Sequence, residues 1–402
     1  MAHATLDEPG RAEFERWMEP FLGALGNKKR RLWAPLYVRG LILPGERKSM
    51  ERVAERVAPD DVQQLNHFVA TSPWALEPVE TVLWEKADAM VGGQDAVLII
   101  DDTALIKQGR HSVGVAHQYC GQLGKNANCQ SMVSLTLARN EVPVTIGLHL
   151  YMPESWTSDP ARMRDAGVPA EIVFRKKWQI ALEQVERVHA AGLRFGIVLA
   201  DAGYGMCAEF RQGLSELGLT WSMGIMPTQL VYRSSVKLRP PTKRVGSGPQ
   251  ARYPVPSERP LSVEELIASL GPRAFRSISW RMGTKGKMQC EFAATRVRPA
   301  KSANLDRKQL PGEEVWLVCE RRSADVMKYY FSNQPPAVSL KALAATIKAR
   351  WSCEQGHQQL KEELGLDHFE GRSWLGLHHH ALLAMIAYAY LQRLRLKRKK
   401  NS

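Results

Sequence analysis

No run of about eighteen apolar residues, the length that crosses a bilayer, occurs anywhere in the chain. The most apolar stretch, ALLAMIAYAYL, is too short and runs straight into QRLRLKRKK. A membrane partner is therefore not expected. Residues 1–30 lack the apolar segment of a secretory signal. Cysteine is sparse: Cys120, Cys129, Cys207, Cys290, Cys319 and Cys353 are scattered, without a CxxC pair or a Cys/His cluster at zinc spacing. That argues against a disulfide framework and for a reduced, cytoplasmic setting. GKNANCQ is not a phosphate loop, so no nucleotide cofactor is expected. Nor does any segment repeat at a period of about twenty to fifty residues.

Acidic residues are also in deficit. The 402 residues carry 41 Asp and Glu against 55 Lys and Arg, a net charge of +14. Such an excess points to a polyanion, with nucleic acid foremost. The hydrophobic fraction of 44% is enough to bury a sizeable core.

Residues 1–90 read as helices, from DEPGRAEFERWMEPFLGAL to SMERVAERVAPDDVQQLNHFVATSPW. Between these lies the basic turn NKKRRLW, whose Lys28, Lys29, Arg30 and Arg31 suit a DNA backbone. The expectation is a separate N-terminal helical DNA-binding domain. At Asp95 the texture changes. DAVLIIDDT is a short apolar run of the kind buried on both faces of a sheet. HSVGVAHQYC, CQSMVSLTLAR and VPVTIGLHLY follow as closely spaced strands. FRKKWQIALEQVERVHAAG reads as helix, RFGIVLAD as a buried strand, AEFRQGLSELG as helix and LTWSMGI as strand. Strands in a meander and then alternating with helices predict an α/β (α+β) fold, a mixed sheet flanked by helices.

The core's first part is placed at 91–225. A linker and β-rich insertion, opening with the Pro/Gly/Lys/Arg-rich KLRPPTKRVGSGPQARYPVPSERP, are placed at 226–338. SLKALAATIKARWSCEQGHQQLKEELG, read as one helix, and GLHHHALLAMIAYAYLQRLRLK return the core at 339–395, before a basic tail at 396–402.

Asp101 and Asp201 each end an apolar strand, and ligands gather at strand ends in α/β sheets. Glu354 sits on a late helix, with Arg350 four residues before it and Lys361 seven after, on one expected face. Taken alone, Arg350 and Glu354 read as a surface ion pair. Three grouped carboxylates are hard oxygen ligands suited to Mg²⁺ or Mn²⁺. Two such ions make a clamp for in-line attack on a phosphodiester, with the cations on flanking phosphates.

With these residues in view, the chain resembles the DDE transposases of bacterial insertion sequences, in particular the group typed by element IS-seven-hundred-one. The resembling segments are IDDTALIKQGRHSVGVAHQYCGQLGKNANCQ, LYMPESWTSDPARMRDAGVP, VLADAGYG and WSCEQGHQQLKEELGLDHFEGRSWLGLHHH. The resemblance implies an RNase H-like catalytic core interrupted by a β-rich insertion. It carries the first metal ligand onto Asp101, with Asp102 as runner-up, the second onto Asp201 and the third onto Glu354. The family's Tyr-Arg-Glu-Lys pattern is met by Arg350, Glu354 and Lys361, with Ile347 where the family has tyrosine. Within the resembling stretch, Lys107, Lys125, Asn128 and Gln130 are candidates to line a DNA channel.

Trp280 and Trp316 lie in the insertion and read as core. His378, His379 and His380 are consecutive, so on a helix they cannot chelate one ion; packing and phosphate contacts are expected of them.

The implied function is a transposase that binds terminal inverted repeats as a dimer, cuts element ends with two Mg²⁺ ions and joins them to target DNA, in a nucleoid-associated setting. The alternatives are a domesticated endonuclease without strand transfer, or a catalytically silent DNA-binding regulator.

Overall fold

The computed structural model describes residues 8–240, 254–283, 286–302, 309–323 and 325–401. Part of the expected linker, 241–253, lies outside the described residues. Five helices open the chain: α1 Glu8–Leu25, α2 Lys28–Ile42, α3 Met50–Val57, α4 Val62–Ala70 and α5 Glu77–Val91. Strands β1 Val97–Ile106, β2 Ala116–Cys120, β3 Lys125–Arg139 and β4 Val142–Leu150 follow, then helices α6 Glu154–Thr157, α7 Pro160–Asp165 and α8 Lys177–Ala190. Next come β5 Ile197–Ala200, α9 Ala202–Gly205, α10 Ala208–Glu216 and β6 Trp221–Ile225. The insertion contributes β7 Leu230–Arg233, β8 Leu238–Arg239, β9 Val255–Pro256, β10 Leu261–Ser262 and α11 Val263–Leu270. Its longer strands are β11 Arg276–Gly283, β12 Gly286–Ser302, β13 Gln309–Pro311, β14 Val315–Arg321 and β15 Met327–Ser332. The chain closes with α12 Leu340–Ala349, α13 Trp351–Glu362 and α14 Trp374–Asn401.

These elements form two compact units, residues 1–196 with 351–402, and residues 197–350. Helices α1 to α5 fall within the first unit. The reason lies in α14. Residues 376–390 of this helix are all buried, which matches a sequence apolar on every side. It packs on α2, α4 and α5 and also on β4 and α13, so one helix serves the N-terminal bundle and the sheet.

In the first unit, β3 is the hub and pairs antiparallel with β1, β2 and β4. Leu98, Ile99 and Ile100 of β1 are fully buried, as the unbroken apolar run predicts. Helices α5, α8 and α13 pack on this sheet. Each fully buried Leu or Ile contributes roughly 1.5–3 kcal/mol, so the half of β1 that leads into Asp101 is firmly held.

In the second unit, β5 and β6 run parallel, and β6, β15, β14, β12, β7 and β10 continue in antiparallel order. The class is mixed α/β with flanking helices. Phe292, Val318, Leu343, Ala344 and Ile347 form a core, with Trp280 and Trp316 packed against it. Buried Glu320 accepts from Lys348, Arg322 and the Tyr330 hydroxyl, which ties α12 to the strands. Among the described residues, no helix is long and apolar enough to cross a membrane.

Candidate active site

Asp101 does not end its strand as expected: it lies in the middle of β1, which continues to Ile106, where the apolar run gives way to half-exposed positions, and its strand partner is Ser134 of β3. The Asp101 Oδ1 accepts the Asp102 amide at 2.9 Å. Asp102 is differently placed, because its carboxylate pairs with Lys177 at the start of α8.

Glu354 occupies the exposed side of the first turn of α13, where the positive end of the helix favours a carboxylate. The opposite side of that helix is buried. Gly356 lets it approach closely, since an added Cβ would stand 3.3 Å from the Tyr388 hydroxyl.

A hydrogen-bonded relay joins this helix to β1. The Asp101 carbonyl can only accept, so the Ser134 hydroxyl donates to it at 3.0 Å. The same oxygen then accepts from His357 Nε2, 2.7 Å away on α13. Cys353 Sγ lies 3.4 Å from that nitrogen and 3.5 Å from the Thr136 hydroxyl. Ser134 and Cys353 are fully buried and His357 nearly so. Burial makes each of these bonds costly to lose.

Asp101, Cys353 and His357 offer ligand atoms within 4.8 Å of one another. A thiol with an imidazole is zinc-type chemistry, whereas Mg²⁺ takes oxygen ligands. His357 is bonded to Ser134, and of these three residues Asp101 offers the oxygen that suits a hard cation.

In the second unit, Asp201 follows β5 and caps α9. Its Oδ1 accepts the amides of Gly203 at 2.9 Å and Tyr204 at 3.3 Å. That fixes the carboxylate while leaving Oδ2 outside these bonds, which suits a metal ligand. The glycines of ADAGYG have a steric reason. A Cβ on Gly205 would stand 1.9 Å from the Gly224 carbonyl oxygen, so α9 can lie against β6 only with glycine there.

Several expectations need correction. The stretch read as one helix is two, because Arg350 is the cap that ends α12 and α13 begins at Trp351. Arg350 therefore does not share a single helix face with Glu354 and Lys361. Lys361 does lie on α13, partly buried, with Nζ 3.2 Å from Gln122 Oε1. Lys107 is turned inward and donates to the carbonyls of Phe369 at 2.6 Å and Asp367 at 3.4 Å, and burial lowers its pKa. In this position it acts as a strut between β1 and the 367–369 segment. Gln130 is buried and donates to the Val113 carbonyl, and Asn128 donates to the carbonyls of Lys107 and Gly109. Lys125 is exposed at the start of β3.

Lys28, Lys29, Arg30 and Arg31 form the first turn of α2 rather than a turn before it. Lys28, Lys29 and Arg31 are exposed, while Arg30 is half-buried and donates to the Pro73 carbonyl. Cations at the positive end of a helix are unfavourable by themselves and favourable beside an anion.

The histidines of α14 are packing residues and make no surface available to phosphates. His379 stacks on Trp74 at 3.6 Å, and its ring nitrogens face the Val69 and Trp74 carbonyls. His380 donates from Nε2 to the Gly365 carbonyl and accepts the Tyr37 hydroxyl at Nδ1. His378 bonds the Trp374 carbonyl within its own helix.

Sequence reasoning missed Ser134, Cys353, His357 and Lys177. The spacing of Cys353 and His357, four apart on the Glu354 helix, was the available signal. Nothing local marks Ser134, whose role follows from strand register.

Comparison with known proteins bears on these residues. The chain is 31% identical over 195 residues to the probable transposase for insertion sequence element IS701 of Microchaete diplosiphon, a match covering 48% of each chain. The chain thus spans about half the length of that relative. A solved structure of a piggyBac transposase synaptic complex with hairpin DNA is similar at a TM-score of 0.45 and 10% identity, covering 99% of this chain and 74% of that one. Residues 20–287 match the family described as DDE superfamily endonuclease, a span that includes Asp101 and Asp201 and ends before Glu354. That match extends over more than half of the 402 residues, and the chain belongs to the DDE superfamily of endonucleases.

Proposed function

We propose that this chain is a metal-dependent DNA transposase acting on the ends of its own element, with Asp101, Asp201 and Glu354 as the metal-holding carboxylates. The observation that carries the reading is the relay from Asp101 through Ser134 to His357, which couples the strand of one carboxylate to the helix of another. Asp101 is preferred to Asp102 as ligand because its carboxylate lies within 4.8 Å of ligand atoms on the Glu354 helix, those of Cys353 and His357.

A pair of Mg²⁺ ions, or Mn²⁺, would supply activation of a water or 3′-hydroxyl and stabilisation of the leaving oxygen. The chain's own part is positional. Asp201 is held rigid by two amides, so its second oxygen points in a fixed direction. Asp101 is held by its strand and the relay, and Glu354 by the buried underside of α13. Arg350 and Lys361 hold phosphates flanking the cleaved bond. Lys28, Lys29 and Arg31 hold the backbone further along, with Arg30 contributing charge. The substrates are duplexes, namely the terminal inverted repeats and then target DNA. Two ends must be held together for transfer, so the working species is a homodimer on DNA.

The test is a reaction of the full chain with Mg²⁺, a duplex copied from the DNA flanking the gene, and a target plasmid. Joined products are expected. Cleavage without joining would make the protein a plain endonuclease, and tight binding without nicking would sink the enzymatic reading.

A further inference from the structure

The β2–β3 hairpin is unlike the rest of the first unit. Its strands are anchored along their length: Cys129 at the base and Cys120, the last residue of β2 before the turn, are fully buried, and Gln118 donates to the Cys129 carbonyl at 2.9 Å. Its tip is open, with residues 121–126 all exposed. Tyr119 is 65% exposed and Leu123 44% exposed. Strand β2 has β3 as its partner in the sheet.

The charge along this stretch of sequence is one-sided. From Thr103 to Asn140 the sequence contains no Asp or Glu, while it carries Lys107, Arg110, Lys125 and Arg139. Lys125 opens β3 on the exposed tip, and Lys361 of α13 reaches Gln122 in the turn. The ribbon thus stands beside the helix that carries Glu354, with cations next to exposed apolar side chains.

We propose that this hairpin is a DNA-contacting ribbon that enters a groove of the duplex. Tyr119 and Leu123 make apolar contact with base edges, and Lys125 and Lys361 engage the adjoining phosphates. A two-stranded ribbon fits the major groove, where thymine methyls offer apolar contacts. An aromatic and an aliphatic side chain on an acid-free tip fit that partner better than water. This assignment rests on the reading that duplex DNA is the substrate. It adds an element to it, because none of the proposed metal ligands lies in the ribbon.

The test measures binding of the full chain, without divalent metal, to a duplex copied from the gene's flanking DNA, across a salt series. The Tyr119→Ala/Leu123→Ala double variant is expected to bind about tenfold more weakly, with the salt dependence unchanged. Lys125→Ala is expected to lower the salt slope by about one. All three side chains are exposed, and a thermal melt checks that the fold is kept. If wild type binds and the double variant binds equally well, the ribbon assignment is wrong while the substrate reading stands. If the double variant instead loses self-association in sedimentation, the ribbon is a protein contact and the assignment is overturned. If wild type binds no duplex at any salt, the substrate reading falls and the ribbon with it.

Discussion

His357 Nε2 lies 2.7 Å from the Ser134 hydroxyl, and through that hydroxyl the Glu354 helix is bonded to the backbone of Asp101. A buried bond of this kind fixes the separation of two carboxylates that a hard cation would need at defined distances.

Ser134→Ala should therefore do more than lower stability. It removes the Ser134 hydroxyl from His357 Nε2, at a cost of about 1–3 kcal/mol, and loosens α13 on β1. The expected outcome is a weaker apparent affinity for Mn²⁺, measured by spin-resonance titration of the protein without DNA. Reduced thermal stability with unchanged Mn²⁺ affinity would confine Ser134 to a structural role.

Gly205→Ala should disturb the second unit at Asp201. The added methyl would collide with the Gly224 carbonyl at 1.9 Å, so α9 must move off β6. Overpacking of this kind costs about 1–3 kcal/mol or more. Denaturant unfolding should show that loss, with cleavage falling further than stability alone explains. An unchanged midpoint would remove the steric reading of ADAGYG.

Lys107→Met separates a strut from a DNA contact. The amine donates to two carbonyls near the end of β1, so its loss should lower the melting temperature. The salt dependence of DNA binding should stay the same. A slope reduced by about one would instead return Lys107 to the phosphates.

The α14 histidines predict an acid-side loss of stability. Burial lowers the pKa of His378 and His380 to about 4, below the 6.5 of an unfolded histidine. Below pH 6.5 the unfolded chain takes up protons that the folded chain refuses. Stability from these groups is complete above 6.5 and drains away between 6.5 and about 4. At pH 5 the loss is on the order of 2 kcal/mol for each. Melting temperatures across that range should fall, and less steeply for His378→Phe. A flat profile would contradict the buried neutral rings.

Much of this was legible in the sequence, for reasons that can be named. VLIID and IVLAD are short apolar runs, and such runs have little choice but a buried strand; Asp201 does end its strand, whereas β1 runs on past Asp101 to Ile106 because the residues after it still pair with β3. The insertion strands could be placed because turn-forming residues separate them. The relay could not be read, since Ser134 faces Asp101 only through the β1–β3 register and meets His357 only through the packing of α13. Lys107 and Gln130 misled for a related reason: both are polar residues inside strands or at their ends, and polarity alone does not say whether a backbone carbonyl waits inside. The break at Arg350 was hidden because no Gly or Pro marks it.

The most direct test is Mg²⁺-dependent cleavage of flanking-DNA duplex by four conservative variants beside wild type. Asn at position 201 can still cap α9, and Gln at 354 keeps the helix, so the folds should survive. Asp101→Asn, Asp201→Asn and Glu354→Gln should each lose at least about a hundredfold in rate, more than the 10–100-fold typical of residues that only support metal ligands. Asp102→Asn should stay within about tenfold of wild type, since its carboxylate is engaged by Lys177. Near-wild-type cleavage by any of the first three, or collapse of the fourth alone, would contradict the assignment of Asp101, Asp201 and Glu354 as the metal-holding carboxylates.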